Sequence, residues 1–141
     1  MYKRIILAVD LAEPGPQPKG LAEAMELAEA GGGDLRLVNV QPVLPATFME
    51  YVPADFDAEQ EERAKTALAA IAAAVSLPKD KVSQVVRVGG IYHELLQEAM
   101  DWGADLIVVG SHRPVMSDYL LGSNAKTIVR HAQCSVLVVR A

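Results

Sequence analysis

The sequence predicts a doubly wound, Rossmann-like α/β domain: a five-stranded parallel sheet flanked by four helices. Two observations predict it. Five short apolar runs recur along the chain, and a stretch of helical periodicity separates each from the next. The first run and the last two are nearly continuous rather than alternating, as in strands buried on both faces of a parallel sheet. Strands alternating with helices imply right-handed βαβ crossovers. At 141 residues the chain is long enough for one domain with a substantial core and short for two, so residues 1–141 are read as a single domain.

The runs are IILAV (5–9), LRLVNV (35–40), VSQVVRV (82–88), DLIVVG (105–110) and SVLVVR (135–140). Between the first two, Leu21, Met25 and Ala28 repeat at helical spacing, and Gly31-Gly32-Gly33 ends that helix. Ala64, Leu68, Ile71 and Val75 mark a second helix, stopped by Leu77-Pro78. Its leading EQEER (59–63) is a solvated first turn whose acids suit the helix dipole. Ile91, Leu95, Ala99 and Trp102 mark a third helix, closed by Gly103, and a fourth runs from near Ser123 to about Ala132. Residues 41–56 hold Pro42, Pro45 and Pro53 with apolar Phe48, Met49, Tyr51 and Phe56, and read as a long loop of the kind that forms lids or contact surfaces.

Composition narrows the function. The chain is 51% hydrophobic and 22% charged, which describes a soluble globular protein, and with aromatics at 5% its core must be Val, Leu, Ile and Ala. A net charge of −5 argues against coating nucleic acid, which needs a basic surface, but leaves room for a local anion pocket. Cys134 is the only cysteine and reads as a buried, inert thiol. The N-terminal MYKRIILAVD has too short an apolar run for a signal peptide or membrane span. The expectation is a cytoplasmic protein without membrane association.

Ligands of open α/β sheets bind beyond the carboxyl ends of the strands, where the strand order reverses. Asp10 ends the first run and Gly110 the fourth. Asp10 suits metal or ligand contact as well as it suits the capping of nearby loop N–H groups. A haloacid-dehalogenase-like reading wants a second Asp at position 12, which is Ala, and a response-regulator reading wants an Asp after a central strand, which is missing. Gly110 permits a sharp turn and close approach of a ligand. Gly122-Ser123-Asn124 opens the last helix, whose unpartnered N–H groups and positive dipole end favour an anion. His112 and Arg113 add donors, and the arginine fork is bidentate toward phosphate. The competing reading is ordinary turn chemistry with an N-cap. Lys126 falls in or near that helix's first turn, where the dipole disfavours a cation and a bound anion would offset the cost. His131, at the helix end, reads as structural and His93 as exposed. There is no P-loop, no G-x-G-x-x-G after the first strand and no Cys/His cluster with metal-ligand spacing.

At these residues the sequence resembles the universal stress protein family. The resemblance spans the chain: MYKRIILAVD, LRLVNV, DWGADLIVVGSHR and LLGSNAKTIVRHAQCSVLVVR carry it, and it is closest to a bacterial subgroup with Ser-His-Arg-Pro. Nucleotide-binding members carry G-x-x-G, nine residues, then G-[S/T]. Gly110 and Gly122-Ser123 match the ends of that motif; Arg113 replaces the second glycine, and eight residues (114–121) separate it from Gly122. Arg113 either contacts phosphate or fills its space. The resemblance implies strand order 3-2-1-4-5 and ATP or another adenine nucleotide at the switch point, with an accompanying Mg²⁺ left open. Ala8, Val9, Asp10 and Val40 would lie near adenine and ribose. Val109 and Gly110 would lead toward the phosphates, with Ser123 and Asn124 at them. It also implies a homodimer through the last strand, Ser135 to Arg140, acting as a stress or signalling module without strong catalysis. A weak ATPase, autophosphorylating or nucleotidyl-transfer enzyme, and an interaction protein that binds no nucleotide, are the alternatives.

Overall fold

Strands and helices alternate as β1 (Arg4–Ala8), α1 (Leu21–Gly31), β2 (Asp34–Gln41), α2 (Phe56–Ala73), β3 (Val82–Val88), α3 (Ile91–Trp102), β4 (Leu106–Ser111), α4 (Ser123–His131) and β5 (Ser135–Arg140). The computed structural model describes residues 1–12, 15, 17–43, 55–111 and 123–140. The sheet order is β3-β2-β1-β4-β5 with all neighbours parallel, as the family resemblance implies. The chain winds outward from β1 through β2 to β3, then crosses to the other side of β1 for β4 and β5. The order therefore reverses between β1 and β4.

Side chains alternate across each strand, so the sheet feeds two cores. Ile5, Leu7, Leu35, Leu37, Leu106 and Val108 meet Leu21, Ala24 and Ala28 of α1 and Leu68 of α2 on one face. Ile6, Val38, Ile107 and Val109 meet Leu95 and Ala99 of α3 and Ala125 and Ile128 of α4 on the other. The middle of β1 is thus buried on both faces: Ile5, Ile6 and Leu7 have no exposed surface. The apolar run of β5 behaves differently. It lies at the sheet edge, and Val136 to Val139 are only half-buried, because no strand covers its outer side among the described residues. Continuity of an apolar run does not by itself tell a central strand from an edge strand.

Local chemistry sets the joints. Gly20 precedes α1 at φ 89°, a conformation that disfavours L side chains. A Cβ there would also sit 3.1 Å from Val108 and 3.2 Å from Leu7, so glycine lets the helix start flush on the sheet. Gly32 ends α1 at φ 61°, its N–H donating to the carbonyls of Ala28 and Glu29. Asp105 ties β4 to β1: its carboxylate accepts the N–H groups of Lys3 at 2.8 Å and Arg4 at 3.0 Å, and its own N–H donates to the Arg4 carbonyl at 2.9 Å. α2 ends at Ala73, so Val75 joins the core from beyond the helix. β2 extends to Gln41 and α2 starts at Phe56, and residues 44–54 of the expected long loop lie outside the described residues. No helix among the described residues is long and apolar enough to cross a membrane.

One buried charge cluster was not legible in the sequence. Glu98 of α3 is 5% exposed, yet its carboxylate takes Arg36 of β2 at 2.7 Å and Arg87 of β3 at 2.8 Å. Arg87 also binds Glu94 at 2.8 Å, a bond that reinforces its charged form. The Arg36 guanidinium stacks 4.5 Å over the Trp102 ring. The cluster pins α3 to the β2–β3 half of the sheet. Truncating its centre leaves the partly buried Arg36 guanidinium without a carboxylate and Arg87 without one of its partners, so Glu98→Ala should cost about 3 kcal/mol in urea unfolding, with Glu98→Gln costing less. A loss below about 0.5 kcal/mol, the scale of an exposed pair, would mark the cluster as inconsequential.

Candidate functional site

The carboxyl ends of β1, β2 and β4 open on one crevice. Ala8, Val9 and Asp10 line it from β1 and the turn that follows, Val38, Asn39 and Val40 from β2, and Val109 and Gly110 from β4. Ile91 and Leu95 of α3 wall one side, and Asn124, Ala125 and Ile128 of α4 wall the other. Lys19 reaches in from the segment before α1. The interior is thus mostly apolar, and the ionisable groups among these residues are Asp10 and Lys19. An apolar slot with a few convergent polar groups suits a flat heterocycle with polar or charged substituents.

Each polar group is placed by local structure. Val9 lies one residue past β1, and its N–H donates to the Val38 carbonyl at 2.8 Å. Its own carbonyl accepts the side-chain amide of Asn39 at 2.8 Å, and Asn39 in turn accepts Gln41 Nε2 at 2.6 Å. Asn39 is 4% exposed, a buried polar residue kept because its bonds hold the end of β1 against β2. Asp10 is exposed and its Oδ1 accepts the Ala12 N–H at 2.9 Å, so it organises the turn that follows. This is the loop-capping role, and it leaves Asp10 at the crevice rim.

Gly110 requires one correction. The apolar run ends there but the strand does not: β4 continues through the polar Ser111, and Gly110 pairs with Val139 inside it. Glycine serves close approach rather than a turn: a Cβ would meet Lys19 at 2.9 Å from its Cδ, 3.1 Å from its Cγ and 3.2 Å from its Cβ.

Of the residues expected at a ligand site, Ala8, Val9, Asp10, Val40, Val109, Gly110 and Asn124 line this one crevice. His112, Arg113 and Gly122 lie outside the described residues, and Ser123 enters only as the first residue of α4. Lys126 is in the first turn and exposed, so water solvates its charge there. His93 and His131 are exposed on helices. Sequence reasoning missed Asn39 and Lys19. The first was visible as a lone amide in the run LRLVNV, and the second as a lysine between a proline-rich loop and a helix start. Cys134 is half-buried rather than buried, with burial and then the nearby Asp105 charge raising its thiol and disfavouring thiolate. Among the described residues, no group of three or more His, Cys, Asp and Glu side chains could hold a metal ion.

These features define a class: a five-stranded doubly wound domain with an apolar crevice at its β1/β4 switch point, rimmed by an acid and a lysine. Within that class the chain belongs to the universal stress protein family, whose family model matches residues 1–140. It is 34% identical to universal stress protein G of Shigella flexneri over 99% of this chain and 100% of that protein. Among solved structures it is similar to a universal stress protein in complex with cAMP, with 20% identity, TM-score 0.70, and coverage of 98% of this chain and 97% of that one. It is also similar to the universal stress protein of Archaeoglobus fulgidus in complex with dAMP, with 20% identity, TM-score 0.65 and 98% of both chains covered.

If Asn39 holds the crevice floor, Asn39→Ala leaves the Val9 carbonyl without its amide donor. The variant should lose about 1–3 kcal/mol of stability in denaturant unfolding. Unchanged stability would show that water replaces the amide at no cost.

Proposed function

We propose that the chain binds an adenine nucleotide, ATP, in the switch-point crevice and works as a dimeric cytoplasmic stress-response or signalling module of the nucleotide-binding, Ser-His-Arg-Pro type. One observation carries the reading. Seven residues separated widely in sequence, Ala8, Val9, Asp10, Val40, Val109, Gly110 and Asn124, line one apolar crevice at the point where such folds take ligands. The two solved relatives that hold cAMP and dAMP support adenine as the base. The residues present fit such a ligand. Val38, Val40, Leu95 and Ile128 offer apolar surface to a base, Asp10 offers acceptors to a ribose, and Asn124 and Lys19 offer donors to phosphate. Gly122 and Ser123 match the family motif at the phosphate end; His112 is proposed there as a further donor, and Arg113, which replaces a motif glycine, either contacts phosphate or fills its space. The dimer reading rests on β5, an apolar edge strand that pairing with a second copy would cover.

The reading predicts nucleotide in the supernatant of the purified, heat- or acid-denatured protein, detected by mass spectrometry, or else saturable ATP binding by titration calorimetry with Mg²⁺ present. Light scattering should give twice the mass of the 15.1 kDa chain. Absence of both co-purified nucleotide and ATP binding would contradict the nucleotide reading, and a monomeric mass would contradict the dimer.

A further inference from the structure

We infer that Lys19 is the residue by which the crevice senses the phosphate charge of its occupant; the inference rests on the nucleotide reading above. Three independent features of the fold converge on this side chain. Its stem lies across Gly110, where a Cβ would come within 2.9 Å of it, so the bare backbone of β4 forms its seat. Its ammonium donates to the carbonyl of Ser111, the last residue of β4, at 3.3 Å. Gly20, left-handed and packed against Val108 and Leu7, fixes the backbone next to it on the sheet. A flexible side chain is therefore held between the carboxyl ends of β1 and β4, where the strand order reverses.

The chemistry of the contact decides what it is for. A contact of 3.3 Å is long for a charged donor, which binds an anionic oxygen at about 2.7–2.9 Å. Among the described residues it engages one of three ammonium donors, and the acceptor is a neutral carbonyl. A phosphate oxygen entering the crevice is the stronger acceptor. The lysine also stands directly before the Gly20 N-cap of α1, at the helix end whose dipole disfavours a cation. A charge kept against a local electrostatic preference, half-buried on a glycine built to receive it, signals a site that awaits an anion. Lysine suits this task because it is a compact point charge on a flexible stem, able to leave Ser111 and follow a phosphate. With Asp10 at the same rim, an uncharged nucleoside gains nothing from Lys19, and each added phosphate charge gains more.

The test compares adenosine, AMP and ATP on the full chain by calorimetry, using Lys19→Met, which keeps the stem and removes the charge, and Lys19→Arg, which keeps the charge. Lys19→Met should weaken ATP roughly 10- to 100-fold. Adenosine affinity should stay within about twofold, which also shows that the variant is folded, and AMP should fall between the two. Lys19→Arg should restore most of the ATP affinity. The ATP gap between wild type and Lys19→Met should shrink as salt rises. Equal losses for adenosine and ATP, or an unchanged ATP affinity, would overturn the role of Lys19 while leaving the nucleotide reading intact. Failure of the wild-type protein to bind any of the three would overturn both.

Discussion

The pairing of β1 with β4 is the constraint on which the rest of this structure depends. Both strands are buried on two faces, and their register, Ile5 against Leu106 through Leu7 against Val108, is anchored by the Asp105 carboxylate on the backbone of Lys3 and Arg4. Because β2 and β3 lie on one side of that pair and β5 on the other, helices α1 and α2 cover one face and α3 and α4 the opposite one. The crossovers that leave β1 and β4 depart to opposite faces of the sheet. The gap between those departures is the crevice. No side chain has to be designed to open it; the topology does so, and side chains only decide what it holds.

The walls of the crevice are fixed from outside it. α3 presents Ile91 and Leu95 to the ligand side, and the same helix buries Glu98 between Arg36 and Arg87 one turn further on. α1 starts flush with the sheet through Gly20, which brings Lys19 onto Gly110. Asn39 ties Val9 to β2 beyond the last rung of regular pairing. Site geometry is thus a consequence of strand-end chemistry and helix-start chemistry, each supplied by one or two residues.

The fold was legible because its signals are periodic and repeated. Five apolar runs and four helical stripes place every strand and α-helix within a few residues, and glycines at 32 and 103 mark helix ends by their left-handed conformation. The strand order was not in the periodicity, since any permutation of parallel strands buries the same runs; family likeness supplied it. The site was legible where residues sit at strand ends, as with Val9, Asp10 and Gly110. It was not legible where long-range packing creates it. Nothing local in Gln17-Pro18-Lys19-Gly20 says that the lysine will lie across a glycine some ninety residues away. Likewise Arg36, Arg87 and Glu98 read as three surface charges until the sheet and α3 bring them together.

Amide chemical-shift mapping decides whether the β1/β4 switch point is a nucleotide site. Titrating ATP with Mg²⁺ into ¹⁵N-labelled protein should move the resonances of Val9, Asp10, Val40, Gly110 and Asn124 together along one saturable curve, leaving those of α2 in place. Shifts confined to other surfaces, or none at saturating ATP, would contradict the account.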